Sequence, residues 1–267
     1  MDLQMVNSKQ KRYGTDTPSQ PDSQMENGGE LMHSPCPPDS QIDNTGQLLR
    51  ILQLSDSVFP TGGFSHSVGL ESYARHGLLD TERHLGSFVP CALHNAGSLL
   101  LPYALHARQS ESVTTWLALD RTCHACITNH VACRASVKQG RALLDSAAAS
   151  FQLAPLQRLQ DAVQDDRFHA HFPVTFGAVC KCLDIPVTAT SQMFMFETLR
   201  NIITSAVRLG LIGPIEGQRI QYKAQQSIPD IVKEYQDLST EEVYISYPIL
   251  EVVQNKHDTL FSKLFYS

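Results

Sequence analysis

The sequence predicts an all-α fold: a single-domain bundle of about eight to ten helices. Three observations predict it. From Gln47 onward apolar residues recur at three- and four-residue spacing. Strand patterns, hairpin turns and βαβ alternation are nearly absent. Prolines stand where helices must begin or divide.

Taken in order, Leu48, Leu49, Ile51, Leu52 and Leu54 form the first apolar stripe, which Ser55-Asp56-Ser57 ends. Phe59-Pro60-Thr61-Gly62-Gly63 has turn composition. A second helix is expected from about Phe64 to His76, closed by Gly77. Thr81 is the expected N-cap of the next, whose stretch 82–108 Pro90 and Pro102 would kink or divide. Helices fit 112–128, 129–150, 155–163 and 173–183, the last two opened by Pro155 and Pro173. The clearest stripe is Met193, Phe196, Leu199, Ile203, Ala206 and Val207, in a helix over about 188–211. Gly213-Pro214 breaks it before a helix over 215–235. Glu241 to Tyr247 is expected to be extended, and Pro248 opens the last helix.

Two domains of text are visible. Residues 1–46 are polar, proline-rich and acidic, carrying −4 of the net charge of −6, and are expected to be a disordered tail. Residues 47–267 are nearly balanced in charge and form the helical domain. With 42% hydrophobic residues the chain can bury a sizeable core. The negative balance argues against a nucleic-acid partner gripped through phosphates. No apolar run approaches the roughly 20 residues that span a bilayer, so no membrane partner is expected. An odd set of seven cysteines without a secretory signal fits free thiols in the cytoplasm.

Chemistry-bearing patterns are sparse. The sequence has no GxxxxGK[ST] cradle, no GxGxxG after a strand, and neither HExxH nor GxSxG. Gly62-Gly63-Phe64-Ser65 reads first as a tight turn and only second as an anion site. Cys123, Cys126, His130 and Cys133 fall along one helical stripe of about 15 Å, too long to surround a single ion, and read as a buried face. His169 and His171 lie on different faces of a helix, or on one face of a strand. His33 and Cys36 in the acidic head, and His66 and His257, are weak metal candidates. His66 with Glu71 has the residue types of an acid–base pair but no fixed geometry, so no catalytic residue is assigned. Near the end Leu260, Phe261, Leu264 and Phe265 make an apolar helical face, which either folds back on the chain's own core or enters a partner's groove.

These features join in a resemblance. Asp56-Ser57-Val58-Phe59-Pro60-Thr61-Gly62-Gly63-Phe64-Ser65-His66-Ser67-Val68-Gly69-Leu70-Glu71 resembles the UreF signature DSxxPTGGFxHSxGLE. Four later blocks agree in order. Arg134-Ala135-Ser136-Val137-Lys138-Gln139-Gly140 resembles RAS-x-x-QG, and His171-Phe172-Pro173-Val174 resembles H-[FY]-PV. Ser205-Ala206-Val207-Arg208-Leu209 resembles SAAxRL. His257-Asp258 through Leu260-Phe261-Ser262 to Leu264-Phe265 and Ser267 resembles the family's tail. Where bacterial members read PLGQ, this chain has Gly210-Leu211-Ile212-Gly213-Pro214, the form of plants, fungi and animals.

The resemblance implies an all-α, dimerising assembly factor that is not an enzyme. It implies binding to a UreD/UreH-type accessory protein, recruitment of the UreG-type GTPase, and promotion of nickel insertion into apo-urease. No cofactor is expected to be bound permanently; nickel is handled in transit. His257, Leu260, Phe261, Leu264 and Phe265 are the expected partner-binding tail. Pro60, Gly62, Gly63, His66 and Glu71 are the expected partner-facing segment, and Arg208 an expected contact for the GTPase. The alternatives are a metal chaperone holding nickel through His66, His257 or the 123–133 stripe, and a helical hydrolase using His66 and Glu71.

Overall fold

The computed structural model describes residues 45–79 and 82–267. The head expected over 1–46, apart from Thr45 and Gly46, lies outside the described residues, as do His33, Cys36 and the expected cap Thr81. The described residues are mostly helical, with no strand among them, and form twelve α-helices. These are α1 Thr45–Ser55, α2 Leu70–Arg75, α3 Glu82–Leu99, α4 Leu101–Gln109, α5 Val113–Cys126 and α6 His130–Phe151. Then follow α7 Ala154–Gln164, α8 Phe172–Cys182, α9 Val187–Arg208, α10 Pro214–Ala224, α11 Ile228–Tyr235 and α12 Pro248–Asn255.

Two of the expected helices are divided, which accounts for twelve rather than eight to ten. Leu100 separates α3 from α4, because Pro102 sits in the first turn of α4 where its missing N–H costs nothing. Pro90 is instead carried inside α3. Pro229 opens α11, and a 3-10 turn over Gln225–Ser227 joins it to α10. Residues 241–247 form turns and irregular chain instead of the expected extended segment. Between α5 and α6 the helix stops at Ile127, and the Asn129 side chain caps α6 by accepting from the N–H groups of Val131 and Ala132. Cys123, Cys126, His130 and Cys133 therefore do not share one helix.

The core runs between α4, α8 and α9, with α6 laid across α8. Trp116, Tyr103, Phe168 and Phe194 are its largest fully buried side chains. The Trp116 indole N–H donates to the Ala107 carbonyl at 2.8 Å, so its one polar atom is satisfied. α4 and α8 meet so closely that a Cβ on Gly177 would lie 2.1 Å from the Ala104 carbonyl oxygen. Gly177→Ala must push the two helices apart. We expect it to lower stability by about 2 kcal/mol, read as a reduced midpoint in urea unfolding. An unchanged midpoint would mean that the two helices separate without cost.

Candidate partner-docking site

The signature segment folds as a receptor for the chain's own tail. It is not the continuous helix expected from Phe64 to His76. A 3-10 turn covers Gly63–Ser65, and α2 starts only at Leu70. Between them Val68 and Gly69 both take positive φ, 54° and 83°. This left-handed pair turns the chain so that His66, Ser67 and Glu71 point inward. Gly62 is also left-handed, at φ 73°, and a Cβ there would lie 3.3 Å from Ala142 Cβ on α6. The glycines thus make the turn and let it sit against α6.

After a 3-10 turn over Lys256–Thr259 the tail runs irregularly across this receptor. Glu71, fully buried, takes three donors. Its Oε1 accepts the Leu264 N–H at 2.7 Å, and its Oε2 accepts the Phe265 N–H at 3.0 Å. The same Oε2 lies 3.0 Å from His257 Nε2. An ionised carboxylate, which only accepts, matches this set of donors. Ser67 donates both its N–H (3.0 Å) and its hydroxyl (2.5 Å) to the main-chain oxygen of Ser267. The Tyr266 N–H donates to the Ser65 carbonyl at 2.9 Å. His66 Nδ1 lies 2.9 Å from Ser267 Oγ.

The other sequence blocks converge on the same place. Arg134 donates to the Asp258 carboxylate at 2.7 Å, and His130 Nε2 stands 3.0 Å from its other oxygen. The Arg134 hydrogen bond, joined by His130 and the Lys263 charge, holds Asp258 down at about 2. Lys138 lies over the Tyr266 ring, 4.3 Å from its centroid. Ser136 fixes His171 and the first turn of α8, since its Oγ lies 3.1 Å from His171 Nδ1 and accepts the Phe172 N–H. Gly140 allows α6 to touch the 168–171 loop, where a Cβ would collide with the Ala170 carbonyl. From α9, Arg208 donates to the Phe64 carbonyl and stacks on two rings, 3.7 Å from the Phe64 centroid and 4.4 Å from that of Phe265.

The expected site residues therefore divide. The tail does not form the apolar helix that its spacing suggested. Glu71 draws the Leu264 and Phe265 N–H groups to itself, so these are not spent in a helical ladder. Phe265 is buried on the chain's own core, whereas Phe261 is fully exposed (107%) and Leu264 half-exposed. Leu260 is half-buried and His257 fully buried. Of the segment expected to face a partner, Pro60 is exposed and Gly62 partly so. Gly63, His66 and Glu71 are inside. They hold the tail and do not face outward. Arg208 is partly exposed with its guanidinium already engaged between Phe64 and Phe265.

As a metal pair His66 and His257 fit poorly. His66 Nδ1 faces a serine hydroxyl and His257 Nε2 faces Glu71, while His257 Nδ1 is buried with no hydrogen-bond partner among the described residues. As an acid–base pair His66 and Glu71 fit no better, because each is occupied by the tail. Behind His66 lies a cavity of about 130 Å³, lined in part by Gln139, Thr198, Asn201, Gln254 and Ser267.

The match to a family model covers residues 79–225, and that model is UreF. The chain belongs to the UreF family. Urease accessory protein F of Oryza sativa subsp. indica is 38% identical over 80% of this chain and 82% of its own length. The Arabidopsis thaliana protein of the same name is 36% identical over 80% of this chain and 90% of its own. UreF of Paenarthrobacter aurescens is 29% identical over 82% of this chain and 97% of its own. UreF proteins are urease accessory proteins, so this chain belongs to urease assembly, and the family is one of helpers rather than catalysts. Among the described residues no helix is long and apolar enough to cross a membrane.

The UreF signature carries a pH dependence. Burial, reinforced by the positive charge of Lys138, pushes the His66 imidazole down to about 4. A depressed histidine means that the unfolded chain takes a proton the folded chain refuses. Stability from this source is present above about pH 6.5 and is lost as pH falls toward 4. At pH 5 the loss is about 2 kcal/mol relative to neutral pH. His66→Gln, which cannot titrate, is expected to show a shallower fall in urea stability between pH 7 and pH 5 than the unaltered chain. Equal slopes would show that His66 does not resist protonation.

Proposed function

We propose that this chain is a scaffold for urease activation, and that the clamped tail is its docking surface for a UreD/UreH-type accessory protein. The observation that carries the reading is the fully exposed Phe261 ring on a tail held from beneath by Glu71, Ser67 and His66. A preorganised tail pays less ordering entropy on binding than a free one. Exposed aromatic side chains are the usual anchors of protein interfaces.

On this reading the chain joins the UreD/UreH-type partner to the UreG-type GTPase and apo-urease, as a homodimer in the cytoplasm. It promotes nickel insertion without keeping a cofactor of its own, and Arg208 with Phe64 offers a cationic, aromatic edge for the GTPase. The test is reconstitution of apo-urease with the two partners, nickel, GTP and bicarbonate. Urease activity should rise when this chain is added; equal activation without it would sink the proposal.

A further inference from the structure

A second cluster lies where the end of α5, the first turn of α6 and the loop before α8 meet. His124 Nδ1 is 3.0 Å from His171 Nε2 and 3.7 Å from Cys133 Sγ. The three ligand atoms all lie within 4.8 Å of one another. A tetrahedral ion with metal–nitrogen bonds near 2.0 Å and a metal–sulfur bond near 2.3 Å sets its ligand atoms about 3.4 Å (N···N) and about 3.6 Å (N···S) apart. The two separations from His124 are within a few tenths of an ångström of those edges, and the Cys133–His171 edge closes within 4.8 Å.

The surroundings hold these ligands in place. The buried Asp120 carboxylate accepts the N–H groups of His169 and His171 at 2.6 and 2.8 Å, fixing the loop that carries both imidazoles. Ser136 Oγ, 3.1 Å from His171 Nδ1, gives that ring an outer partner. With Nδ1–H donating to Ser136, the Nε2 lone pair points toward His124 and Cys133. A metal-binding histidine is normally oriented in this way. The His169 ring stacks on His124 with centroids 4.1 Å apart and planes within 16°, setting the plane of the second imidazole. His124 is exposed and Cys133 half-buried, so an ion reaches them from solvent.

We propose that His124, Cys133 and His171 bind one borderline divalent transition-metal ion of the zinc, cobalt and nickel class, with a fourth position open to solvent. Two imidazoles and one thiolate suit this class better than magnesium or calcium, which take oxygen ligands. On binding, Cys133 forms its sulfur–metal bond as a thiolate and releases its proton to solvent. The inference rests on side-chain geometry and not on the assembly role, and its failure would leave that role untouched.

Cobalt titration of the purified full chain tests it. One equivalent of Co²⁺ should develop the thiolate-to-cobalt charge-transfer band, and both Zn²⁺ and Ni²⁺ should displace it. Cys133→Ser should abolish the band. His124→Ala should weaken binding by more than about tenfold, the scale already reached when only an outer-shell partner of a ligand is lost. Neither position is fully buried, so circular dichroism should confirm that both variants fold. Cys36→Ser should leave the band unchanged. Absence of the band in the unaltered chain, its survival in Cys133→Ser, or its loss in Cys36→Ser would each overturn the assignment.

Discussion

Replacing Glu71 by glutamine is expected to release the tail and to cost about 3 kcal/mol of stability. The substitution keeps shape and volume but turns one accepting oxygen into an NH₂ donor. At Oε1 that donor would face the Leu264 N–H; at Oε2 it would face the Phe265 N–H and His257. Either way a buried donor is left without an acceptor, and leaving such a group unpaired costs about 1–3 kcal/mol for each one. The loss should appear as a lower urea midpoint, together with rapid proteolysis within residues 260–267. A variant with the same midpoint and an equally resistant tail would show that Glu71 does not hold it.

Replacing Phe261 by alanine is expected to do the reverse: nothing to the isolated chain and much to the complex. The ring is fully exposed, so its removal should leave the urea midpoint within about 0.5 kcal/mol of the original. If it anchors the UreD/UreH-type partner, the same change should weaken that complex by about 2–3 kcal/mol, roughly 30- to 150-fold in Kd. Leu264→Ser is expected to act in the same direction but less, because part of its side chain already rests on the chain. Calorimetric titration of the partner with each variant separates the two contributions. Unchanged affinity with Phe261→Ala would remove the tail from the interface.

The contrast between these two substitutions follows from what the sequence made legible and what it hid. Helical spacing and proline placement located nearly every helix, because an amphipathic stripe and a helix start are local properties. The splits at Leu100 and at Gln225–Ser227 were less visible, since a proline in the first turn and a proline that a helix tolerates look alike until tertiary packing decides. The apolar tail was legible as unusual but not as irregular. Its i, i+1, i+4, i+5 spacing described a helix that Glu71, 193 residues away from Leu264, competes against by binding the backbone.

For the same reason the inward-facing part of the signature is hidden: Gly63, His66, Ser67 and Gly69 to Glu71 are buried, while Asp56 to Val58, Pro60 and Phe64 are exposed. Glu71 and His66 are polar, and nothing nearby in sequence shows that their partners arrive from residues 257–267. The resemblance identified the blocks correctly, but only the fold shows that they are pieces of one structure: Arg134, Lys138, Arg208 and Glu71 all grip the tail. The His124, Cys133 and His171 cluster is hidden from the sequence in the same way. Spacing alone groups Cys133 with its helical neighbours, and His171 with His169. The helix break capped by Asn129 then brings Cys133 back to His124, which the stripe had not included. The break falls at the expected boundary between the helices 112–128 and 129–150, where Asn129 caps the second.

The UreF signature in this chain is a clamp for its own tail. Backbone hydrogen exchange at Leu264 and Phe265 tests it most directly, in the unaltered chain and in Glu71→Gln. Both amides should be protected in the unaltered chain, and Glu71→Gln should lose that protection selectively while α4 and α8 keep theirs. Rapid exchange at both positions in the unaltered chain, or full protection surviving Glu71→Gln, would contradict the clamp.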